Sequence, residues 1–422
     1  MTYYFFDTSS LLNLTLEDID NINNTDGKII ISDVSLREIE DIKTSAKKDE
    51  HIKYLARQIT KWLNENVNKY EVYIYKEGML DCFYEFAPSN DIRILACAYS
   101  YDCHEHPDET VFVTNDLALK NIANLYFGSD SIISIAAKPP EEQYKGYTEK
   151  ILNDEDLSYF YEHQNENVFN LLENEYLIIY SESDSDKPID LFSWREGAYK
   201  KVYPIKLESN HFGKIEPLKG DVYQILAIDS LVHNQVSMIC GKPGSGKTML
   251  SFAYLFSELE KGKLDQIIVF CNPVVAKNAA KLGYYKGTAL EKLLQTQAGM
   301  VLSSKLGSAY EVENLIEKGK LVLIPAGDAR GYEVPANSGV YIMESQNLTI
   351  ELLRMLLQRI SENCKVIVDG DYFEQVDMDA YSGRHNGMNK MSEIFRGESI
   401  YGQVQLQKIN RSKIAAIADK MR

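Results

Sequence analysis

The residues GKPGSGKT at 241–248 constrain this chain more than any other stretch. They follow the apolar run VSMIC (236–240) and precede the helix-like MLSFAYLFSELE, so they form the turn from a strand into a helix. Glycine at 241, 244 and 246 lets the backbone curl with its N–H groups turned inward, and the start of the helix adds its positive end. Such a cradle suits a nucleoside triphosphate. Gly241, Lys242, Pro243, Gly244, Ser245 and Gly246 would surround the β-phosphate, Lys247 places a charge between the β- and γ-phosphates, and Thr248 offers its hydroxyl to Mg²⁺.

The rest of the second half supplies a sheet for this loop. QIIVFC (266–271), LVLIPA (321–326), GVYIM (339–343) and KVIVDG (365–370) are short, continuous apolar runs, as expected of parallel strands covered on both faces. Polar residues follow two of them, where open α/β sheets bind ligands. Glu344, Gln346 and Asn347 come after GVYIM, with Glu344 suited to polarising an attacking water. Asp371 and Gln375 come after KVIVDG, suited to sensing the γ-phosphate or coupling it to a partner. The residue before Glu344 is Met343, whose thioether is a poor partner for a hard cation.

Residues 1–137 also alternate short apolar runs (YYFFDTSSLL, IIISDVSL, VYIYKEGML, VFVTND, SIISIAA) with polar, helix-like stretches such as Glu38–Asn66. This predicts a second parallel sheet with covering helices. Asp7, Glu38, Asp91 and Asp116 each fall at a strand end or in the first turns of a helix, positions that share one edge of such a sheet. Four carboxylates there suit one or two Mg²⁺ or Mn²⁺ ions that activate water for phosphodiester hydrolysis. The same residues also suit ordinary helix capping, because the region holds 23 acidic side chains.

From LysProProGlu at 138–141 to about 220 the chain is rich in Glu, Asn, Asp and Ser, with the apolar YLIIYS at 176–181. We read it as a helix and a small β-hairpin module joining two larger domains, 1–137 and 221–422. At 422 residues two or three domains are expected. Net charge is −11 over 1–137, −7 over 138–220 and +1 over 221–422. So acidic a surface argues against non-specific coating of nucleic acid and leaves recognition to a local groove or a metal. No run approaches 18 uncharged apolar residues, and MTYYFFDTSSLLNL lacks the basic start and cleavage site of a signal peptide, so a cytoplasmic protein is expected. The six cysteines form no CxxC and read as reduced thiols. Cys97, Cys103, His104 and His106 lie close in sequence, but their spacing fits no common zinc pattern.

Taken in order, YFFDTSSLL, VSLREIEDIK, SNDIRILACA and VFVTNDLALK resemble the PIN nuclease domain. That resemblance implies that Asp7, Glu38, Asp91 and Asp116 are the metal-binding catalytic acids of a ribonuclease. The second half resembles the PhoH-type ATPase, a RecA-like P-loop domain, through GKPGSGKT, NPVVAKNAAKLGYYKG, ESQNLT, VDGDYFEQVD and INRSKIAAIAD. Here the resemblance implies that Gln224, in PLKGDVYQILAIDSL, reads the adenine of ATP, and that Arg411 approaches a γ-phosphate, that of a neighbouring subunit in a ring-like oligomer. The whole chain is similar to PIN–PhoH fusion proteins, which implies an ATP-dependent RNA helicase joined to a Mg²⁺-dependent ribonuclease.

Three departures qualify this. Met343 stands where the family has Asp, Asn272 where it has Arg, and LGYYKG where it has LGYLPG. The nuclease acids are all present. The expectation is therefore intact RNA cleavage with slow or altered ATP turnover, Asp371 partly standing in for the missing acid, and faster hydrolysis in Met343→Asp. The alternatives are a ribonuclease whose nucleotide domain serves only as a binding switch or oligomer scaffold, and a non-catalytic RNA or protein interaction module.

Overall fold

The computed structural model describes residues 2–14, 18–19, 22, 27–45, 50–135, 143–271, 297–371 and 386–409. The chain divides into two compact units, Met1–Ala137 and Lys138–Arg422.

The first unit is built on β1 (Thr2–Phe6), β2 (Gly27–Ser32), β3 (Tyr70–Tyr73), β4 (Thr110–Val113) and β5 (Ile132–Ile133). All pairings are parallel and the order is β3-β2-β1-β4-β5. Helices on both faces explain the unbroken apolar runs. Phe5 packs with Ile30, Phe112 and the inner face of the helix Asn90–His104, whereas Phe6 packs with Ile29, Val113 and residues of the helix Glu50–Glu65. Burying each such side chain contributes about 1.5–3 kcal/mol. The polar stretch 38–66 is not one helix. Asp33–Thr44 ends at Ser45, whose backbone is extended, and a second helix begins at Glu50. The run VYIYKEGML is strand only to Tyr73, and Glu77–Phe83 forms a 3₁₀ helix.

The second unit opens with β6 (Tyr147–Leu152), β7 (Tyr176–Ser181), β8 (Asp184–Arg195) and β9 (Ala198–Lys201) in a mixed sheet of order β6-β7-β8-β9. A small antiparallel pair follows, β10 (Leu207–Ser209) with β11 (Gly213–Ile215). The segment thus holds more than the helix and hairpin read from sequence, because β6 joins β7 in parallel and β9 extends β8. One face of this mixed sheet covers Phe160 of the helix Asp154–Glu162. The other face, with Tyr176, Ile178 and Leu191, shares a core with Leu226, Leu231 and Ile239. A buried ion pair reinforces that junction. Arg195 of β8 and the Tyr176 hydroxyl (2.9 Å) both donate to one oxygen of Asp229, and His233 lies 3.1 Å from the other. Burial alone would raise the Asp229 carboxyl, but His233 and Arg195 hold it below the usual range.

The main sheet of the second unit comprises β12 (Val236–Gly241), β13 (Gln266–Cys271), β14 (Leu321–Pro325), β15 (Ser338–Ile342), β16 (Lys365–Gly370) and β17 (Tyr401–Leu406). Its order is β14-β13-β15-β16-β12-β17, parallel throughout. The fold class is therefore α/β, with two parallel-sheet domains and a smaller mixed module. Strand β17 was not evident in sequence, because YGQVQL carries Gly402 and two glutamines. Gly402 is required there, since a Cβ would collide with the Asn234 side chain.

Candidate functional site

In the second unit the carboxyl ends of β12, β15 and β16 meet. Strand β12 runs into the loop 241–246, and the helix Lys247–Glu260 begins directly after it. Gly241, Gly244 and Gly246 have φ of 146°, 86° and 103°, a region that side chains disfavour. Space matters too, since a Cβ on Gly241 would lie 2.9 Å from the Leu406 carbonyl oxygen. Lys247 is buried, and its amine donates to the loop carbonyls of Gly241 and Lys242 (3.3 Å to the latter). Gln224, in the helix Val222–His233, uses both ends of its amide within the chain. Its Nε2 donates to the Ser245 carbonyl (3.2 Å) and its Oε1 accepts from the Leu218 N–H (3.0 Å). It therefore braces the loop from behind.

The end of β15 carries Glu344 with φ 51°, a left-handed conformation that costs a non-glycine residue about 1–2 kcal/mol. This turns the Glu344 N–H toward Asp369, whose Oδ1 accepts it at 3.0 Å. Gln346 donates to the Glu344 carboxylate (2.6 Å), and the Gln346 carbonyl oxygens accept from the Asp371 N–H (3.3 Å, side chain) and the Asn386 amide (2.8 Å, backbone). Gln346 thus ties the ends of β15 and β16 together. Asn347 is buried in the same short 3₁₀ turn, with its N–H on the Glu344 carbonyl.

Sequence reasoning passed over Asp369. It sits inside the apolar run KVIVDG and is fully buried, with Oδ2 accepting from the Tyr341 hydroxyl at 2.6 Å and lying 3.4 Å from the Thr248 hydroxyl. Burial and the neighbouring Glu344 push its carboxyl up to about 6, against the opposing pull of Lys247 and Tyr341. The available signal was an acid directly after the apolar Val366–Val368 in the strand Lys365–Gly370. Asp371 was expected to stand in for the acid missing at 343, but the carboxylate that meets Thr248 is that of Asp369. Met343 is buried in the apolar core. Gln375, Arg411 and Asn272 lie outside the described residues.

The first unit gathers carboxylates at the β1/β4 boundary, where its strand order reverses direction. Asp7, just beyond β1, is buried. It accepts from the Ser10 N–H (2.7 Å), the Ser9 hydroxyl (3.1 Å) and the Thr114 hydroxyl (2.7 Å). Asp116, beyond β4, caps the helix Leu117–Ala123 by accepting from the N–H groups of Ala118 (2.7 Å) and Leu119 (3.0 Å). Glu38 accepts from the Thr8 hydroxyl and from the Asn90 amide (2.8 Å). Asp91 lies in the first turn of the helix Asn90–His104 that Ser89 caps, and its carboxyl is raised by burial and then by the charges of Glu38, Asp116 and Asp7. Asp91 thus feels the charge of the other three acids. All-oxygen donors are what Mg²⁺ and Mn²⁺ take, and their mutual repulsion is what a cation relieves, so the residues fit a divalent ion in chemistry. Among the described residues, no group of three His, Cys, Asp or Glu side chains stands in the arrangement of a formed metal site. That includes Cys97, Cys103, His104 and His106, of which Cys97 is buried and His106 stacks on Tyr3. Thr8, Ser9, Asn90 and Thr114, which hold the acids, were not singled out in sequence.

A parallel sheet with this glycine loop between β12 and the helix that follows it defines a P-loop nucleotide-binding domain. Residues 216–421 match the PhoH-like protein family, and residues 4–126 match the PIN domain family. With a PIN domain first and a PhoH-like domain second, the chain matches the PIN–PhoH architecture. It is 27% identical to Protein PhoH2 of Thermobispora bispora over 340 residues, which is 79% of this chain and 74% of that protein. To Protein PhoH2 of Bacillus subtilis it is 25% identical over 352 residues, covering 78% and 77% respectively. Among solved structures, VapBC2 of Rickettsia felis bound to a promoter DNA fragment is similar over 32% of this chain and 98% of that one, at 17% identity and a TM-score of 0.22.

Proposed function

We propose that the chain is an ATP-binding RNA helicase and ribonuclease, in which the first unit cuts phosphodiester bonds with Mg²⁺ or Mn²⁺ and the PhoH-like domain hydrolyses ATP. The observation that carries the nuclease half is that Asp91, whose carboxyl is raised by burial and then by the charges of Glu38, Asp116 and Asp7, stands near those three acids at the strand-order reversal, a placement that capping alone does not require. The bound ion would supply Lewis acidity and an activated water. The chain's own residues hold and orient it: Asp7 is fixed by Thr114, Ser9 and Ser10, and Glu38 by Thr8 and Asn90.

In the second unit the loop 241–246 and Lys247 hold the triphosphate, Thr248 faces its Mg²⁺, and Glu344 orients the attacking water. Gln346, Asp371 and Gln375 relay the state of the γ-phosphate to the strand ends, and Gln224 exchanges its contacts with Ser245 and Leu218 for adenine when ATP binds. The chain works as three parts, 1–137, 138–220 and 221–422, in the cytoplasm, and assembles into a ring-like homo-oligomer in which Arg411 reaches a neighbour's nucleotide. Among the described residues no helix is long and apolar enough to cross a membrane.

One observation favours a second reading, a ribonuclease whose nucleotide domain only switches or scaffolds: Met343 is buried apolar surface where the family has an acid. Labelled structured RNA incubated with the protein and Mg²⁺, with and without ATP, separates the two. Cleavage that accelerates with ATP supports coupling, and cleavage indifferent to ATP supports the switch. No cleavage of RNA or DNA under any condition overturns both.

A further inference from the structure

Strands β15 and β16 pair Ile342 with Val368, so the next rung places Met343 beside Asp369. Adjacent strands lie about 4.8 Å apart, so a carboxylate moved from 343 to 369 shifts sideways by one strand and stays at the same height along the sheet. It also moves toward the phosphate loop, because β16 is the direct neighbour of β12 and pairs Asp369 with Ile239.

The surroundings of Asp369 are those of a group held ready for a cation. A fully buried carboxylate costs several kcal/mol unless it is compensated. Asp369 has three hydrogen-bond donors, the Tyr341 hydroxyl (2.6 Å), the Glu344 N–H (3.0 Å) and the more distant Thr248 hydroxyl (3.4 Å), and Lys247 is the cation whose charge acts on it. The same Oδ2 faces the Thr248 hydroxyl at 3.4 Å, the group that the loop presents to a nucleotide's metal ion. Glu344 keeps its strained backbone while its N–H serves this carboxylate, so the position of the water-orienting acid and that of Asp369 are set together.

We infer that Asp369 holds the nucleotide's divalent ion against Thr248, so that the metal-positioning acid has moved from the end of β15 to the neighbouring strand. The inference rests on the reading of 241–248 as a nucleotide site. Met343 then completes the apolar core and is no sign of a lost activity. Asp369 is a positioning residue, acting through the ion and through the Glu344 backbone.

The test compares ADP affinity in Mg²⁺ with that in EDTA, by calorimetry on the full chain. The wild type should bind ADP at least tenfold more tightly with Mg²⁺. Asp369→Asn, which is nearly isosteric, should retain the EDTA affinity and lose the Mg²⁺ enhancement. Its bound Mn²⁺, followed by electron paramagnetic resonance in the presence of ADP, should weaken by the same factor. The double variant Met343→Asp, Asp369→Thr returns the acid to β15 and should recover most of the enhancement, while Met343→Asp alone should gain less than twofold. An unchanged Mg²⁺ enhancement in folded Asp369→Asn overturns the inference. A large gain in Met343→Asp alone does the same, and this arm stands even if Asp369→Asn does not fold. Failure of the wild type to bind ADP in EDTA and in Mg²⁺ alike would instead overturn the nucleotide-site reading.

Discussion

The Thr248 hydroxyl and the Asp369 carboxylate, 121 residues apart in sequence, lie 3.4 Å apart where the phosphate loop becomes a helix. The contact exists because β16 is inserted between β15 and β12, bringing a strand that ends in an acid alongside the loop. Lys247 and Glu344 border the same contact.

Replacing Lys247 by alanine removes the only ammonium that the phosphate loop itself buries. A hydrogen bond to a charged group contributes about 1.5–3 kcal/mol, so ADP affinity should fall roughly 10- to 150-fold. Calorimetry reads this directly.

Glu344→Gln keeps a partner for Gln346 but cannot polarise water. ADP affinity should change little, while phosphate release per bound ATP should drop by about 10²–10⁴, the range for losing a general base. Equal losses in binding and turnover would assign Glu344 a structural role instead.

Thr114 donates to Asp7 at 2.7 Å and its hydroxyl also accepts from the Asp116 N–H at 3.1 Å, so one side chain orients two of the four acids. Thr114→Val should slow RNA cleavage by about tenfold and reduce stability by about 1 kcal/mol. Melting curves of the first unit and cleavage rates measured together check both figures.

Removing Arg195 leaves Asp229 buried and facing only the half-exposed His233 and the Tyr176 hydroxyl. Arg195→Met should destabilise the second unit by about 3–5 kcal/mol, and adding Asp229→Asn should recover part of that. Urea unfolding followed by a probe in the second unit tests it.

Lys365 is fully buried, its amine donating to the Asn234 carbonyl and the Ser237 hydroxyl (3.1 Å), and burial lowers its pKa to about 7. Its ordinary value is higher, so between roughly pH 7 and 10 the unfolded chain binds the extra proton and the folded chain does not. Stability should therefore rise with pH across that window, by about 1.4 kcal/mol per unit at most, and fall as pH drops toward 7. Lys365→Met should flatten the profile.

The parallel strands were legible because helices cover both faces and force unbroken apolar runs, as in QIIVFC and KVIVDG. The glycine loop was legible because φ near 100° at Gly246 leaves few other residues possible. The four acids of the first unit were singled out by their places at strand and helix ends and by the resemblance to the PIN domain. Asp369 was not, because its identity depends on which strand lies next to β12, and strand order is set by long-range packing rather than local pattern. The same holds for β17, whose glutamines find partners in distant segments: Gln403 donates to the Tyr144 carbonyl and accepts from the Ser392 hydroxyl. The mixed sheet at 147–201 was underestimated because β6 carries an exposed, charged middle, and only its ends are buried.

The most direct test of the nuclease site is the initial rate of RNA cleavage as a function of Mn²⁺ concentration, for the intact chain and for Asp7→Asn. A saturable Mn²⁺ dependence is expected for the first and a loss of at least a hundredfold for the second, with ADP binding by the second unit unchanged. Cleavage that ignores Mn²⁺, or that survives in Asp7→Asn at the wild-type rate, would contradict this expectation.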